Sequence, residues 1–230
     1  MSATAVNLQP RALRFWQTTV GKKAVMAITG LILFGFVVGH LAGNLQVFEP
    51  PEKLNRYAAF LKSVPSLLWT ARITLLLAVG VHIWSSFQLW LLQRDARPVK
   101  YVKKANVNST YASRTMLWSG PIIAAFVIFH LLQFTFGAVH PGAPFDEHNV
   151  YNNVVLGFQV WPVSLFYVIA MTMLCYHLYH GLWSMFQSLG FSHPVYTPWL
   201  QRSAKIVAIL IAIGYISIPV AILAGFIKPV

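Results

Sequence analysis

The sequence predicts an all-α membrane protein of five transmembrane helices, and three observations carry that expectation. Of 230 residues, 57% are hydrophobic and only 10% charged, with a mean hydropathy of +0.61, far too little polar material to cover a water-soluble domain of this size. The apolar residues gather into five runs, about 24–47, 67–93, 115–138, 160–188 and 204–227, each long enough for the roughly 20 helical residues that cross a bilayer core of about 30 Å. The connections between runs are too short for an independent domain and no repeat is evident, so residues 1–230 read as a single transmembrane domain.

Taken in order, the first run follows Arg11, Arg14, Lys22 and Lys23 and continues past Ala42 with no small-residue cleavage pattern, so it reads as a retained span and not a signal peptide. The loop after it carries Lys53, Arg56 and Lys62 together with Leu54, Tyr57, Ala58, Phe60 and Leu61 at helical spacing, the pattern of a short amphipathic helix on the membrane surface. The second loop holds Arg94, Arg97, Lys100, Lys103, Lys104 and Arg114, the third holds Asp146 and Glu147 without Lys or Arg, and the fourth holds Arg202 and Lys205. Positive charge is retained on the cytoplasmic side. The alternation therefore predicts a cytoplasmic N-terminus and an outside C-terminus, with the basic first loop its one discordant segment. The net charge of +12 is spent on these loops and not along one polar face, which excludes a nucleic-acid surface. The single cysteine, Cys175, lies inside the fourth run, so there is neither a disulfide framework nor a thiolate metal cluster.

Ionisable side chains inside a span are costly and need a partner. The first four spans carry His40, His82, His130, and His177 with His180, while the fifth carries none and no span holds Asp or Glu. His40 lies 17 positions beyond Lys23 and His130 lies 16 beyond Arg114 on helices running outward, both roughly 25 Å above the inner charges. His82 precedes Arg94 by 12 positions and His177 precedes Gln187 by 10 on helices running inward, both roughly 15 to 18 Å above the inner boundary. They form an outer pair, His40 with His130, and an inner pair, His82 with His177.

Two imidazoles facing each other across a bundle suit the two axial positions of a haem iron, and four at two depths make two b-type haems bound by the first four helices. Gly35, Gly39, Gly43, Gly80 and Gly181 near these histidines fit either clearance for a flat macrocycle or close helix packing. His180 competes with His177 for the inner position. His140, His148 and His193 fall in loops and read as surface residues. The rival class is a polytopic transporter whose histidines bind a bare cation. Against it, the spans lack both buried acids and the matched, interrupted helices that mark transport sites.

Five stretches resemble one family: VGKKAVMAITGLILFGFVVGHLAGNLQVF from Val20, NRYAAFLKS from Asn55, ARPVKY from Ala96, ASRTMLWSG from Ala112 and HLYHGLWSMFQSLG from His177. They are similar to the membrane-anchor cytochrome b of succinate dehydrogenases and fumarate reductases, of the single-chain, five-helix, dihaem type, and the resemblance runs over nearly the whole chain. It implies that His40 and His130 bind the haem far from the soluble subunits and His82 and His177 the nearer one, the fourth ligand standing four positions before Gly181. It further implies a flavoprotein partner, an iron-sulfur partner, a membrane quinone as substrate (menaquinone being the expected type) and a bacterial cytoplasmic membrane. Some relatives carry a buried carboxylate two positions before the fourth ligand, where this chain has Cys175, which puts a carboxylate proton path in doubt. No Gly-rich dinucleotide fingerprint or cysteine cluster is present, so dicarboxylate chemistry is expected on a partner and not on this chain. The anchor of another quinone-linked dehydrogenase is the alternative. For the quinone the candidates are Trp69, Arg72, Asn44, Gln46 and Glu49 toward the outer side and Trp118, Ser119 and Gln187 toward the inner, each equally readable as part of the interfacial belt.

Overall fold

The computed structural model describes residues 15–96, 99 and 109–230. Arg11, Arg14, Arg97, Lys100, Lys103 and Lys104, counted above among the inner charges, lie outside the described residues. Helix α1 spans Thr19–Asn44 and runs on into a 3-10 turn, Leu45–Phe48; α2 is Pro51–Ser63, α3 Pro65–Asp95, α4 Tyr111–Phe134, α5 Val150–Gln159, α6 Trp161–Ser188 and α7 Thr197–Leu223. No strand occurs among the described residues. Five helices, α1, α3, α4, α6 and α7, are long and apolar enough to cross a membrane.

Local polar chemistry sets where each helix begins. Thr18 Oγ1 accepts from Gly21 N at 2.9 Å, Thr110 Oγ1 from Ser113 N at 3.1 Å and Asn149 Oδ1 from Asn152 N at 3.1 Å, each relieving an orphan donor of a first turn. Pro51, Pro65, Pro162 and Pro198 sit in the first turns of α2, α3, α6 and α7, where a missing N–H costs nothing. Two helices close on left-handed glycines. Gly190 (φ 87°) and Gly225 (φ 78°) let Phe191 N reach Phe186 O at 2.8 Å and Phe226 N reach Ala221 O at 3.0 Å, the paired bonds of a Schellman end.

These ends depart from the hydropathy limits in several places, α1 beginning at Thr19, five residues before 24, and α4 at Tyr111, four before 115. The third span leaves the helix at Phe134, not 138, because Phe136 N folds back to Leu131 O at 2.9 Å and Val139 N to Leu132 O at 3.3 Å. The fifth helix starts at Thr197, seven residues before the apolar run begins at 204, and ends at Leu223, four residues before 227. A helix answers to capping and proline, whereas hydropathy answers to depth in the bilayer. The third loop contains α5, which was not expected: its ten residues include Asn152, Asn153 and Gln159, yet Tyr151, Val154, Val155 and Phe158 are buried against α6 and α7. The surface helix in the first loop is present as α2, with Leu54 buried and Tyr57 against Gly43. Phe60, of the same amphipathic spacing, is 58% exposed.

Helix α1 packs along α3 and α6, α6 along α4, and α7 against α6 and α1. Tyr215 OH of α7 donates to Val37 O of α1 at 2.7 Å, and Gly214 brings α7 against Leu41. Around the ring α3–α1–α6–α4 the neighbours touch in sequence, while the diagonals α1/α4 and α3/α6 and the closing edge α3/α4 are not among the helix pairs in close backbone contact. The outer surface is apolar. In each of α1, α3 and α4 only 11% of the most apolar stretch is buried within the protein, and Leu76, Leu77, Ile128, Leu210 and Ile213 are all at least 60% exposed. Apolar surface on this scale needs hydrocarbon, not water, as its solvent.

Candidate cofactor site

The four span histidines close into two pairs, and each pair bridges one of the open diagonals. His40 on α1 meets His130 on α4 with ring centroids 5.7 Å apart and planes at 86°. His82 on α3 meets His177 on α6 at 6.2 Å and 55°. These are the pairs that depth in the sequence selects. The residues touching each pair place them at separate levels: Thr29 and His40 are eleven residues apart on α1, Ser119 and His130 eleven on α4, and Tyr167 and His177 ten on α6, so the levels lie about 15 to 17 Å apart along the bundle.

Hydrogen bonds to the ring nitrogens decide which nitrogen of each histidine carries a lone pair. His82 Nδ1 lies 3.1 Å from Met26 O and 3.2 Å from Thr29 Oγ1, whose own proton goes to Val25 O at 2.8 Å. A carbonyl only accepts, so the proton sits on Nδ1 and the lone pair is left on Nε2. His177 Nδ1 is 3.4 Å from Ser119 Oγ, itself directed at Met116 O at 3.5 Å, a longer contact of the same sense. His130 Nδ1 is 3.2 Å from Tyr167 OH. A ring held by Nδ1–H with Nε2 presented forward is the arrangement of metal-bound histidines generally. His40 differs. Neither ring nitrogen has a hydrogen-bond partner among the described residues, and its ring is instead stacked on Phe36 at 5.1 Å and tilted against Tyr215 at 6.3 Å.

The spacing fits a metal shared by two imidazoles. A metal–nitrogen bond of about 2.0 Å, extended by about 1.1 Å to the ring centre on each side, puts the two ring centres about 6.2 Å apart. The inner pair has that separation and the outer pair falls half an ångström short of it. Two protein ligands do not complete a bare cation site, for which three or four are usual, and no group of three or more His, Cys, Asp or Glu is placed to hold a metal ion among the described residues. The donor set fits a planar macrocycle that brings its own four equatorial nitrogens.

Glycines divide by position. A Cβ at Gly35, Gly39, Gly80 or Gly181 would touch nothing within 4 Å, so none of the four serves close helix packing; Gly43 does, with a Cβ position 2.8 Å from Tyr57 Cε1. At about 100° per residue, Gly181 lies about 40° round the helix from His177, on its face, while Gly80 lies about 160° from His82, on the opposite face. Gly80 therefore clears nothing for His82. Gly30, which sequence reasoning passed over, does approach that ring, a Cβ there standing 3.3 Å from His82 Cε1.

His180 is not part of either pair. Its ring meets Trp183 edge-on at 5.5 Å, and His180 Nδ1 and Trp183 Nε1 are both buried without a partner. Of the loop histidines, His148 and His193 are exposed as expected, but His140 is a strut, its two nitrogens 2.8 Å from Ala143 O and 3.1 Å from Asn153 O and its ring against Phe134 and Phe145. The quinone candidates do not converge. Trp69 is 57% exposed beneath Arg72, Trp118 is 71% exposed, Glu49 pairs with Lys53 at 3.2 Å, Asn44 donates to His40 O at 2.7 Å, and Gln46 and Gln187 carry no contact with the histidines. Ser119 belongs to His177. Lys22, counted with the inner charges, is only 7% exposed, and its Nζ donates to Trp16 O at 2.7 Å.

No family model, curated protein or solved structure matches this chain.

Proposed function

We propose that the chain is the dihaem cytochrome b anchor subunit of a succinate:quinone oxidoreductase, a succinate dehydrogenase or fumarate reductase, carrying electrons between an iron-sulfur subunit and a membrane quinone, with menaquinone the expected type. One observation carries the reading: four histidines from four helices meet as two pairs at two levels, with ring centres 6.2 Å apart in the inner pair and 5.7 Å in the outer, at and just below the separation for a metal between two imidazoles. The haem irons would supply one-electron transfer. His40 and His130 hold the outer one and His82 and His177 the inner. The chain itself fixes their spacing, favours the Nδ1–H tautomer of His82, His130 and His177, and excludes water behind apolar helices. The choice of complex rests on the sequence resemblance from Val20 to Gly190, and with it come the flavoprotein and iron-sulfur partners, the bacterial cytoplasmic membrane and the inside position of the N-terminus. Dicarboxylate chemistry belongs to the flavoprotein.

A transporter reading asks the same histidines to hold a bare cation, for which each pair is one or two ligands short. The visible spectrum of the purified chain separates the two. Two low-spin b haems per chain are expected, with His40→Ala and His130→Ala each removing one spectral component and His82→Ala and His177→Ala each removing the other. A colourless chain, or His40→Ala and His82→Ala losing the same component, contradicts the proposal.

A further inference from the structure

The outer pair is supported by a relay of two side chains, from His130 through Tyr167 to Gln133. Tyr167 on α6 places its hydroxyl 3.2 Å from His130 Nδ1 and donates to Gln133 Oε1 at 2.9 Å. Because the amide oxygen only accepts, the phenol proton is committed to Gln133, and the phenol oxygen presents a lone pair to His130 Nδ1–H. Gln133 is one turn beyond His130 on the same helix and fully buried, and Tyr167 is 6% exposed, so water does not compete for either group. The relay is enclosed by packing, although Gln133 Nε2 is buried with no hydrogen-bond partner among the described residues. Phe158 and Phe126 stand edge-on to the Tyr167 ring at 4.7 Å and 4.9 Å, and Gly157 of α5 covers the Gln133 amide so closely that a Cβ there would lie 2.8 Å from Nε2.

Resting on the dihaem reading above, we propose that Tyr167 and Gln133 are positioning residues that set the midpoint potential of the outer haem through His130. A hydrogen bond accepted from Nδ1–H makes the imidazole a stronger donor to the metal, which favours the oxidised iron. Donation of the phenol proton to Gln133 strengthens the phenol oxygen as an acceptor. Turned the other way, with the phenol proton on His130 Nδ1, the ring would carry its proton on Nε2 and lose the lone pair that a metal needs. The bond to Gln133 thus strengthens Tyr167 in the accepting role that a metal-bound His130 already requires of it. At the inner level the corresponding acceptor for His82 is a backbone carbonyl, Met26 O, which no side-chain replacement removes. At His177 the acceptor is a single hydroxyl, Ser119 Oγ, at the longer distance of 3.4 Å.

The test is a redox titration of the full-length chain in its membrane, following each haem separately, with low-temperature electron paramagnetic resonance as a second readout. The outer haem is identified as the component missing in His40→Ala. Tyr167→Phe is expected to keep both haems, raise the potential of the outer one and alter its resonance while leaving the inner one unmoved. Gln133→Leu should shift the outer haem in the same direction by less, since the phenol oxygen still accepts. Phe158→Leu, which disturbs the packing of Tyr167 but not its hydroxyl, should shift neither. An unmoved outer potential in Tyr167→Phe, or an equal shift in Phe158→Leu, overturns the relay and leaves the dihaem reading standing; if Tyr167→Phe fails to accumulate, Gln133→Leu decides, and no outer shift there overturns the relay. Absence of haem from the unsubstituted chain overturns the function and the relay together.

Discussion

An imidazole buried among hydrocarbon loses its water and recovers the cost only by hydrogen bonding or ligation. The described residues account for the Nδ1 atoms of His82, His130 and His177 with protein acceptors, and the demand left over falls on the Nε2 atoms of rings that meet in pairs. His180 meets the same cost without joining a pair, its ring against Trp183. His180→Ala is therefore expected to keep two low-spin haems, whereas His177→Ala loses the inner one; haem stoichiometry and spectra of the two variants check this, and the reverse outcome would exchange their roles. The glycines give a second test at this scale. Gly181→Phe should fill open space on the His177 face and eject the inner haem, while Gly80→Phe, on the face away from His82, should leave both haems bound. Equal loss in both would mean that the open space at Gly181 is not where the macrocycle lies. The pairing of histidines was legible in the sequence because depth along a helix follows from counting residues. The ring partners were not. Tyr167 is 37 residues from His130 and Met26 is 56 from His82, and no periodicity in either helix reports which side chains or carbonyls meet across the bundle.

At the scale of elements, the two short helices outside the spans form one outer cap. Asn55 of α2 accepts from Tyr151 N of α5 at 2.9 Å and donates to Asn149 Oδ1 at 3.3 Å, and Lys62 Nζ reaches Glu147 O at 2.6 Å. The third loop is folded upon itself beneath them, Asn153 exchanging bonds with Asp146 N and O at 3.0 Å and 2.6 Å. Replacing Asn55 by Leu strands the Tyr151 N–H, and an unsatisfied buried donor costs about 1–3 kcal/mol. Asn55→Leu is expected to lower the thermal midpoint of the detergent-solubilised chain with both haem spectra intact, because Asn55 meets the first turn of α5, away from Gly157 and Phe158, the residues of that helix that reach Gln133 and Tyr167. A loss of haem in this variant would tie the cap to the cofactor sites. The amphipathic spacing of Leu54, Tyr57, Ala58 and Leu61 made α2 legible. Helix α5 escaped because its polar Asn152 and Asn153 face loop partners while its apolar residues bury sideways against α6 and α7, so ten residues carry two kinds of neighbour and no single period.

For the whole molecule, the proposed function makes the direction of electron flow depend on which face would meet the soluble partners, and loop charge is the feature expected to orient the chain. The third loop carries Asp146 and Glu147 and no Lys or Arg, while Arg94, Arg97, Lys100, Lys103, Lys104 and Arg114 crowd the second and Arg202 and Lys205 follow the fourth. Aromatic and basic pairs mark both boundaries: Arg72 over Trp69 at the start of α3, Arg94 over Trp90 at its end and Arg202 over Trp199 at the start of α7, the side chains that settle at headgroup depth. Cys175 is the chain's one cysteine, so a Cys175→Ala background gives a blank for thiol labelling. In that background Glu147→Cys and Ser192→Cys place single thiols at exposed positions of the third and fourth loops, at opposite ends of α6. With a membrane-impermeant maleimide applied to intact cells, Glu147→Cys should label at once and Ser192→Cys only after permeabilisation. That result sets the His82/His177 pair, which is nearer the Ser192 end of α6, on the cytoplasmic side, where electrons from an iron-sulfur partner would enter. Labelling in the opposite order would invert the molecule and make His40/His130 the entry pair, against the charge argument and the resemblance alike.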